Sequence, residues 1–356
     1  MLAGYLWNDH IPECPPPTED DARMTDLATE TATEITADVT VPPGSSDLEE
    51  YRAELTGYCY RMLGSAFEAE DAVQETLVRA WRGSSRFEGR SSLRSWLYRI
   101  ATNVSIDMLN GRKRRALPMD MGPASAPVVD SIGAPAAEGS WVDPMPDGRV
   151  IPGGGDPADV AVARESVRLA FVAALQHLPA RQRAVLILRE VLRWEASEVA
   201  DLLDTSVPAV NSALQRARAT MAARDLGEDP SDPVGEAEQI LLDRYVDAFQ
   251  RYDIASLVSL LHEDATQSMP PYPMWLRGRE DIGRWLRGPG SACEGSVLVP
   301  IRVNGRAGFA QYRADPDGHR PFSLQVIDIS DGRISRFTHY VEPRLFALFG
   351  LPDELP

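Results

Sequence analysis

The 356-residue chain is almost without lysine: Lys113 is the only one, and arginine carries the rest of its positive charge. GC-rich coding produces that bias as readily as phosphate chemistry does, so the bias alone excludes nothing. Cysteine is also scarce. Cys14, Cys59 and Cys293 are odd in number and form no CxxC pair, which argues against a disulfide framework and a zinc site and favours a reducing cytoplasm. No apolar run is long enough to cross a bilayer, because Arg, Glu or Asp interrupts every strongly apolar window. The N-terminus MLAGYLWNDHIPECPPP has no basic stretch before an apolar run, so no export signal is expected. Neither a metal nor an organic cofactor is expected.

What is present in excess is acid. The net charge of −17 argues, taken whole, against a nucleic-acid partner, but its distribution reverses that. Only residues 47–115 and 164–224 carry more Arg and Lys than Asp and Glu. Basic surface therefore sits on two islands in an acidic chain.

Composition divides the chain further. Residues 1–46 are acidic, rich in Thr and Pro and without apolar periodicity, and read as disordered. Residues 47–115 form a first helical block. The stretch 116–163, dense in Pro, Gly, Ala and Asp, reads as a flexible or extended tether. A second helical block covers 164–226, and the break GEDPSDPVGE separates it from a segment at 236–350. That segment opens with helical patterns at 237–251 and 253–262 and has another near 279–287. It continues as four strands, SVLVPIRV, AGFAQYRA, FSLQVIDIS and RISRFTHYV, divided by NG, DPDG and DG turns. Helices followed by an antiparallel meander make an α+β domain.

In the first block, Val73, Leu77 and Trp81 recur at four-residue spacing and read as the buried face of a helix. Asp71, Gln74, Glu75, Val78 and Arg82 fall on the other side. In the next helix Leu93, Leu97, Ile100, Val104 and Met108 form the apolar stripe, leaving Arg99, Asn103, Asp107 and Asn110 on an exposed row. That helix runs into Arg112, Lys113, Arg114 and Arg115, a concentration of charge that suits phosphate better than a simple helix end does. Arg86, Phe87, Arg94, Trp96 and Tyr98 either stack on unpaired bases or fill the core.

The second block reads as a helix-turn-helix. Ala196–Leu203 supplies the first helix, Asp204 and Thr205 the turn, and Ser206 the N-cap of the second helix, with Pro208 in its first turn. Val210 and Leu214 point inward. Ser206, Pro208, Ala209, Asn211, Ser212, Gln215, Arg216 and Arg218 are left for DNA, Asn and Gln suiting adenine and the arginines suiting phosphate.

Together, DAVQETLVRAW, FEGRSSLRSWLYRIATNVSID and EVADLLDTSVPAVNSALQRARATM resemble the extracytoplasmic-function sigma factors of bacterial RNA polymerase, over about 47–222. The resemblance implies two all-α domains. In the first, Asp71, Val73, Gln74, Glu75 and Val78 would dock on the clamp of the largest polymerase subunit. The loop 86–92, with Arg86 and Phe87, would capture a base flipped from the minus-10 element. Arg94, Trp96, Arg99, Asn103, Asp107, Arg112, Lys113, Arg114 and Arg115 would contact that element and its upstream duplex. The second domain would meet the flap of the second-largest subunit, and its helix from Ser206 would read the minus-35 element. Two features depart from the family pattern. Asn211 and Ala213 stand where many members are basic, and the tether is longer than the minimal one, which in the family threads toward the RNA exit path.

Residues 236–350 resemble the SnoaL-like fold, a cone of curved sheet closed by helices. The resemblance implies a built-in regulatory domain, with an apolar cavity lined by candidates His262, Tyr272, Met274, Trp275, Trp285, His339 and Tyr340. Enzymes of that fold use an Asp or His as acid or base, which singles out His262, Asp264 and His339. No nucleophile-base spacing joins them, so the domain is expected to sense a small ligand or contact the sigma domains rather than catalyse. Two other readings stay open: a DNA-binding regulator without polymerase affinity, and an isomerase or cyclase with an appended DNA-binding half.

Overall fold

A computed structural model describes residues 45–84, 87, 91–111, 113–151, 156–223 and 235–356. The chain divides into two units, Met1–Glu50 and Tyr51–Pro356. In the first unit a short helix spans Ser45–Glu49. The disorder expected over 1–46 falls almost wholly outside the described residues.

The second unit opens with three helices, α1 (Arg52–Leu63), α2 (Ala66–Gly83) and α3 (Leu93–Leu109). Gly64 ends α1 at φ 69°, a left-handed value that glycine adopts without strain, and its N–H donates to Tyr60 O at 2.8 Å. Ser65 then caps α2 by accepting from Glu68 N at 3.3 Å, and Ser92 caps α3 by accepting from Ser95 N at 3.1 Å. Leu55, Tyr58 and Met62 of α1 and Leu97, Ala101 and Val104 of α3 are buried, and Tyr58 meets the Tyr98 ring of α3 edge-on at 5.0 Å.

The buried arc of α2 is Ala66, Ala69, Ala72, Val73, Thr76, Leu77 and Ala80, so small residues bring its neighbours close. Trp81 is not part of it. A four-residue step advances 400° round a helix, so the row Val73, Leu77, Trp81 drifts about 40° per step and leaves the core by its third member. Trp81 is 47% exposed, on the side that carries Asp71, Gln74 and Val78.

The segment expected as a free tether is instead packed along much of its length. Its backbone bonds both within the segment and to distant parts of the chain. Ala116 N donates to Ser140 O at 3.0 Å inside the segment, whereas Ser125 N donates to Trp275 O at 2.7 Å and Ala136 N to Pro271 O at 2.9 Å outside it. Trp141, Val142 and Met145 are buried, and one helical turn, α4 (Asp147–Val150), follows them.

The second helical module comprises α5 (Pro157–Glu165), α6 (Leu169–Leu175), α7 (Ala180–Leu186), α8 (Ala196–Leu202) and α9 (Val207–Ala222). A widened turn over Ile187–Val191 prolongs α7, with Leu192 N reaching back to Ile187 O at 3.0 Å.

The C-terminal module begins with α10 (Glu236–Gln250) and α11 (Ile254–Ser259), then β1 (Leu261–Ser268), β2 (Trp275–Arg277) and α12 (Arg279–Arg287). The four expected strands follow as β3 (Val297–Val303), β4 (Arg306–Asp315), β5 (Gly318–Ser330) and β6 (Arg333–Tyr340), before a last turn of helix, α13 (Arg344–Leu348). The sheet order is β2-β1-β6-β5-β4-β3. The sequence pattern gave a helix up to 262, but β1 starts at Leu261 and runs parallel to β6, pairing Gln267 with Phe337. Register shifts in β1, β4 and β5 bend the sheet around Tyr245 and Phe249 of α10 and Trp285 of α12. Two all-α modules are thus followed by an α+β cone.

Candidate nucleic-acid interface

Ser206 builds the recognition helix. Its hydroxyl accepts from Ala209 N at 3.4 Å, and Asp204, at φ 51°, turns the chain between α8 and α9. Val210, Leu214, Ala217 and Met221 are buried, which leaves Ser206, Pro208, Ala209, Asn211, Ser212, Gln215, Arg216 and Arg218 in solvent. The helix start, with its unpaired N–H groups, favours phosphate. Arg218 is held by Glu190 at 2.5 Å, an exposed pair that exchanges readily for another anion.

On α2 the outward stripe is Asp71, Gln74 and Trp81, exposed, with Val78 half-buried among them and Glu75 beside it bonded to Arg79 at 2.6 Å. Val73 is wholly buried and cannot touch a docking partner, which corrects its place among the polymerase-facing residues.

On α3, Arg99, Asn103, Asp107 and Asn110 form the expected exposed row. Two of the cations expected near the minus-10 element are engaged with the rest of the chain. Arg99 donates to Asp201 O of α8 at 2.5 Å. Arg94 donates to Glu54 Oε1 at 2.6 Å and lies over the rings of Tyr98, at 5.3 Å, and Trp194, at 5.1 Å. Phe87 and Trp96 pack on each other with ring centroids 5.0 Å apart, both half-buried. Arg86 and Arg112 lie outside the described residues.

The basic tail is not uniform. Lys113 and Arg114 are exposed, and Arg114 meets His177 Nδ1 at 2.9 Å. Arg115 is buried, 3.0 Å from Glu68 and 3.9 Å from Asp143, and donates to Trp141 O at 2.8 Å. It staples the linker to α2 and is no phosphate ligand, because its charge is already met. Burial pushes the Asp143 carboxyl above its usual range, although Arg115 and the Ser65 hydroxyl pull the other way.

Three family models match the chain: Sigma-70 region 2 over residues 48–115, Sigma-70 region 4 over 168–221 and the SnoaL-like domain over 242–337. The ECF RNA polymerase sigma factor SigG of Mycobacterium tuberculosis is 46% identical over 318 residues, covering 87% of this chain and 84% of that protein. The chain belongs to the ECF RNA polymerase sigma factors. SigJ of the same organism is 26% identical over 85% of this chain and 92% of its own. The crystal structure of SigJ has the same fold, with a TM-score of 0.56 at 22% identity, covering 86% of this chain and 99% of that one.

In this sigma factor the residues expected to line the cone's cavity are mostly committed to packing. Tyr272, Met274, Trp275, Trp285 and Tyr340 are buried, and Trp275 Nε1 donates to Gly122 O of the linker at 2.9 Å. Tyr340 reaches the linker as well, donating to Val142 O at 2.9 Å. His262 is half-exposed, its Nδ1 accepting from the backbone of Asp264 at 3.2 Å. His339 is buried beside Phe337, and burial lowers its pKa to about 4, so the ring is neutral. A cleft of about 920 Å³ lies elsewhere, between Lys113 and Arg114, the linker, Arg183 and Arg344, and of the pocket candidates only Tyr340 borders it. The sigma factor family is one of transcription factors, not enzymes. No helix among the described residues is long and apolar enough to cross a membrane.

Sequence reasoning missed Trp194, whose indole joins Arg94 and Tyr98, and it missed Asn304. The only available signal for Asn304 was the NG turn, which ordinarily marks an exposed hairpin tip.

Proposed function

We propose that this protein docks on the core of RNA polymerase in the cytoplasm, directs it to a promoter with two separated elements, and is tuned by its own C-terminal domain. The observation that carries the reading is one chain presenting two different exposed faces: a recognition helix with Asn211, Ser212 and Gln215 outward, and an α2 stripe with no phosphate chemistry, Asp71, Gln74 and Trp81 around a half-buried Val78. A DNA-binding regulator needs the first and has no use for the second. In this reading the α2 stripe meets the clamp of the largest subunit and the α7–α9 module the flap of the second-largest. Asn103, Asp107, Lys113 and Arg114 serve the minus-10 side, joined by Arg99 and Arg94 once released from α8 and Trp194. The helix from Ser206 serves the minus-35 side. The closeness to SigG supports promoter-directed initiation in general.

A small ligand of the cone has one support. Gln267 Oε1 and His339 Nε2 are buried without a hydrogen-bond partner, and the pairing of Gln267 with Phe337, two residues from His339, puts both on one face of the sheet.

Run-off transcription with purified core polymerase, the full chain and a library of genomic promoters tests the function. Initiation from a subset of promoters is expected, and none from any promoter overturns the proposal.

A further inference from the structure

The NG turn between β3 and β4 has the backbone of an exposed hairpin tip, with φ of 52° at Asn304 and 73° at Gly305. Its surroundings are the opposite. Asn304 is 0% exposed, and its side chain is bonded to three segments distant in sequence. Its Oδ1 accepts from Met145 N of the linker at 2.8 Å. Its Nδ2 donates to Tyr60 Oη of α1 at 2.7 Å and to Val167 O, between α5 and α6 of the second helical module, at 2.6 Å. Its own N–H donates to Met145 O at 3.0 Å, and Tyr60 Oη in turn donates to Asp143 O at 2.7 Å. Gly305 N donates to Asp147 Oδ1 at 2.7 Å, and a Cβ there would stand 2.5 Å from Arg164 Cγ of α5.

We propose that Asn304 is the positioning residue that holds the two DNA-binding modules of this chain in one arrangement. A carboxamide suits the task because it offers two donors and an acceptor in one plane, and each is taken by a different segment. Other direct ties cross this junction as well. Arg61 of α1 bonds Ser166 Oγ at 2.7 Å and Ser166 O at 3.2 Å, and Arg183 of α7, held within its own module by Gln176 Oε1 at 2.6 Å, bonds Met62 O. Burial lowers the pKa of both guanidiniums to about 10, and both belong to the helical modules themselves, whereas Asn304 reaches α1, the linker and the second module from the C-terminal module. In the arrangement Asn304 holds, Arg99 is bonded to α8 and Arg94 sits on Trp194, so part of the α3 face is covered. Loss of the Asn304 side chain frees the module bearing α8 and with it that face.

The test is Asn304→Gly in the full chain, since glycine keeps the positive φ and removes only the side chain. Tyr60→Phe removes one bond from the opposite side. Amide hydrogen exchange is the readout. Exchange at 141–147 and 163–168 is expected to speed by about tenfold or more in Asn304→Gly and by less in Tyr60→Phe, given the usual worth of a buried hydrogen bond. Amides of β4 and β5 from Gly308 to Val326 are expected to keep their wild-type rates. Unchanged exchange in the linker overturns the proposal, and so does an equal rise through the sheet, which reduces Asn304 to a residue of its own hairpin. The proposal rests on the sigma reading only for its consequence at promoters. Run-off transcription by the same preparations reads that separately, so failure to initiate with a wild-type chain counts against the function and leaves the exchange result to decide the latch.

Discussion

Two helices of this chain read alike in sequence, α3 with its basic tail and α9 with its polar basic face, yet the structure treats them differently. Along α9 the outward residues from Ser206 to Arg216 meet solvent. Along α3 and its tail, Arg94, Arg99 and Arg115 are already bonded within the chain, while Asn103, Asp107, Lys113 and Arg114 are not buried by it. A run of cations is therefore not one site. Whether each arginine binds phosphate depends on whether a carboxylate or carbonyl of its own chain reaches it first, and that is decided by packing rather than by charge density.

The largest test of this contrast is within the tail. Arg115→Ala leaves Glu68 and Asp143 half-buried without their cation, and a loss of about 3 kcal/mol of stability is expected. Arg114→Ala, one residue away and exposed, is expected to change stability by less than about 0.5 kcal/mol. Urea unfolding of the two variants measures both, and equal losses would erase the distinction drawn inside the tail.

A middle-sized effect sharpens the α9 side. Asn211→Ala is expected to alter discrimination at one minus-35 base pair by about 1–3 kcal/mol while leaving the fold intact. Competition binding over a set of single-base promoter variants reads it, and an equal loss on every variant counts against base reading by Asn211. The smallest effect belongs to Lys113→Ala, which is expected to lower the slope of DNA affinity against salt by about one, uniformly over sequences. A salt titration that returns the wild-type slope would remove Lys113 from the phosphate contacts.

How much was legible beforehand follows the range of the forces involved. The turn at Asp204, the Ser206 cap, the burial of Val210 and Leu214 and the four strands β3–β6 are set by neighbours a few residues apart, and sequence reasoning placed them. Trp81 was misplaced because an apolar row at four-residue spacing slowly rotates off the core, while the true core of α2 is marked by alanines that carry little pattern. The β1 strand was hidden because its parallel partner, β6, lies some seventy residues further along and no local turn announces it. Most hidden was the linker. Its Pro, Gly and Asp content does record that residues 116–151 form only short turns of helix, but not that Met145 completes its bonding with Asn304.

The bond between Tyr60 and Asn304 spans 244 residues, and this separation sets an order in time. At ribosomal rates of roughly 5–20 residues per second, tens of seconds pass between the emergence of the two ends. Helices α1 to α3 draw most of their contacts from within the first module and can assemble meanwhile. Every newly made molecule therefore passes through an interval in which its first module is folded, its second is arriving, and the side chain that will hold them together has not yet been synthesised.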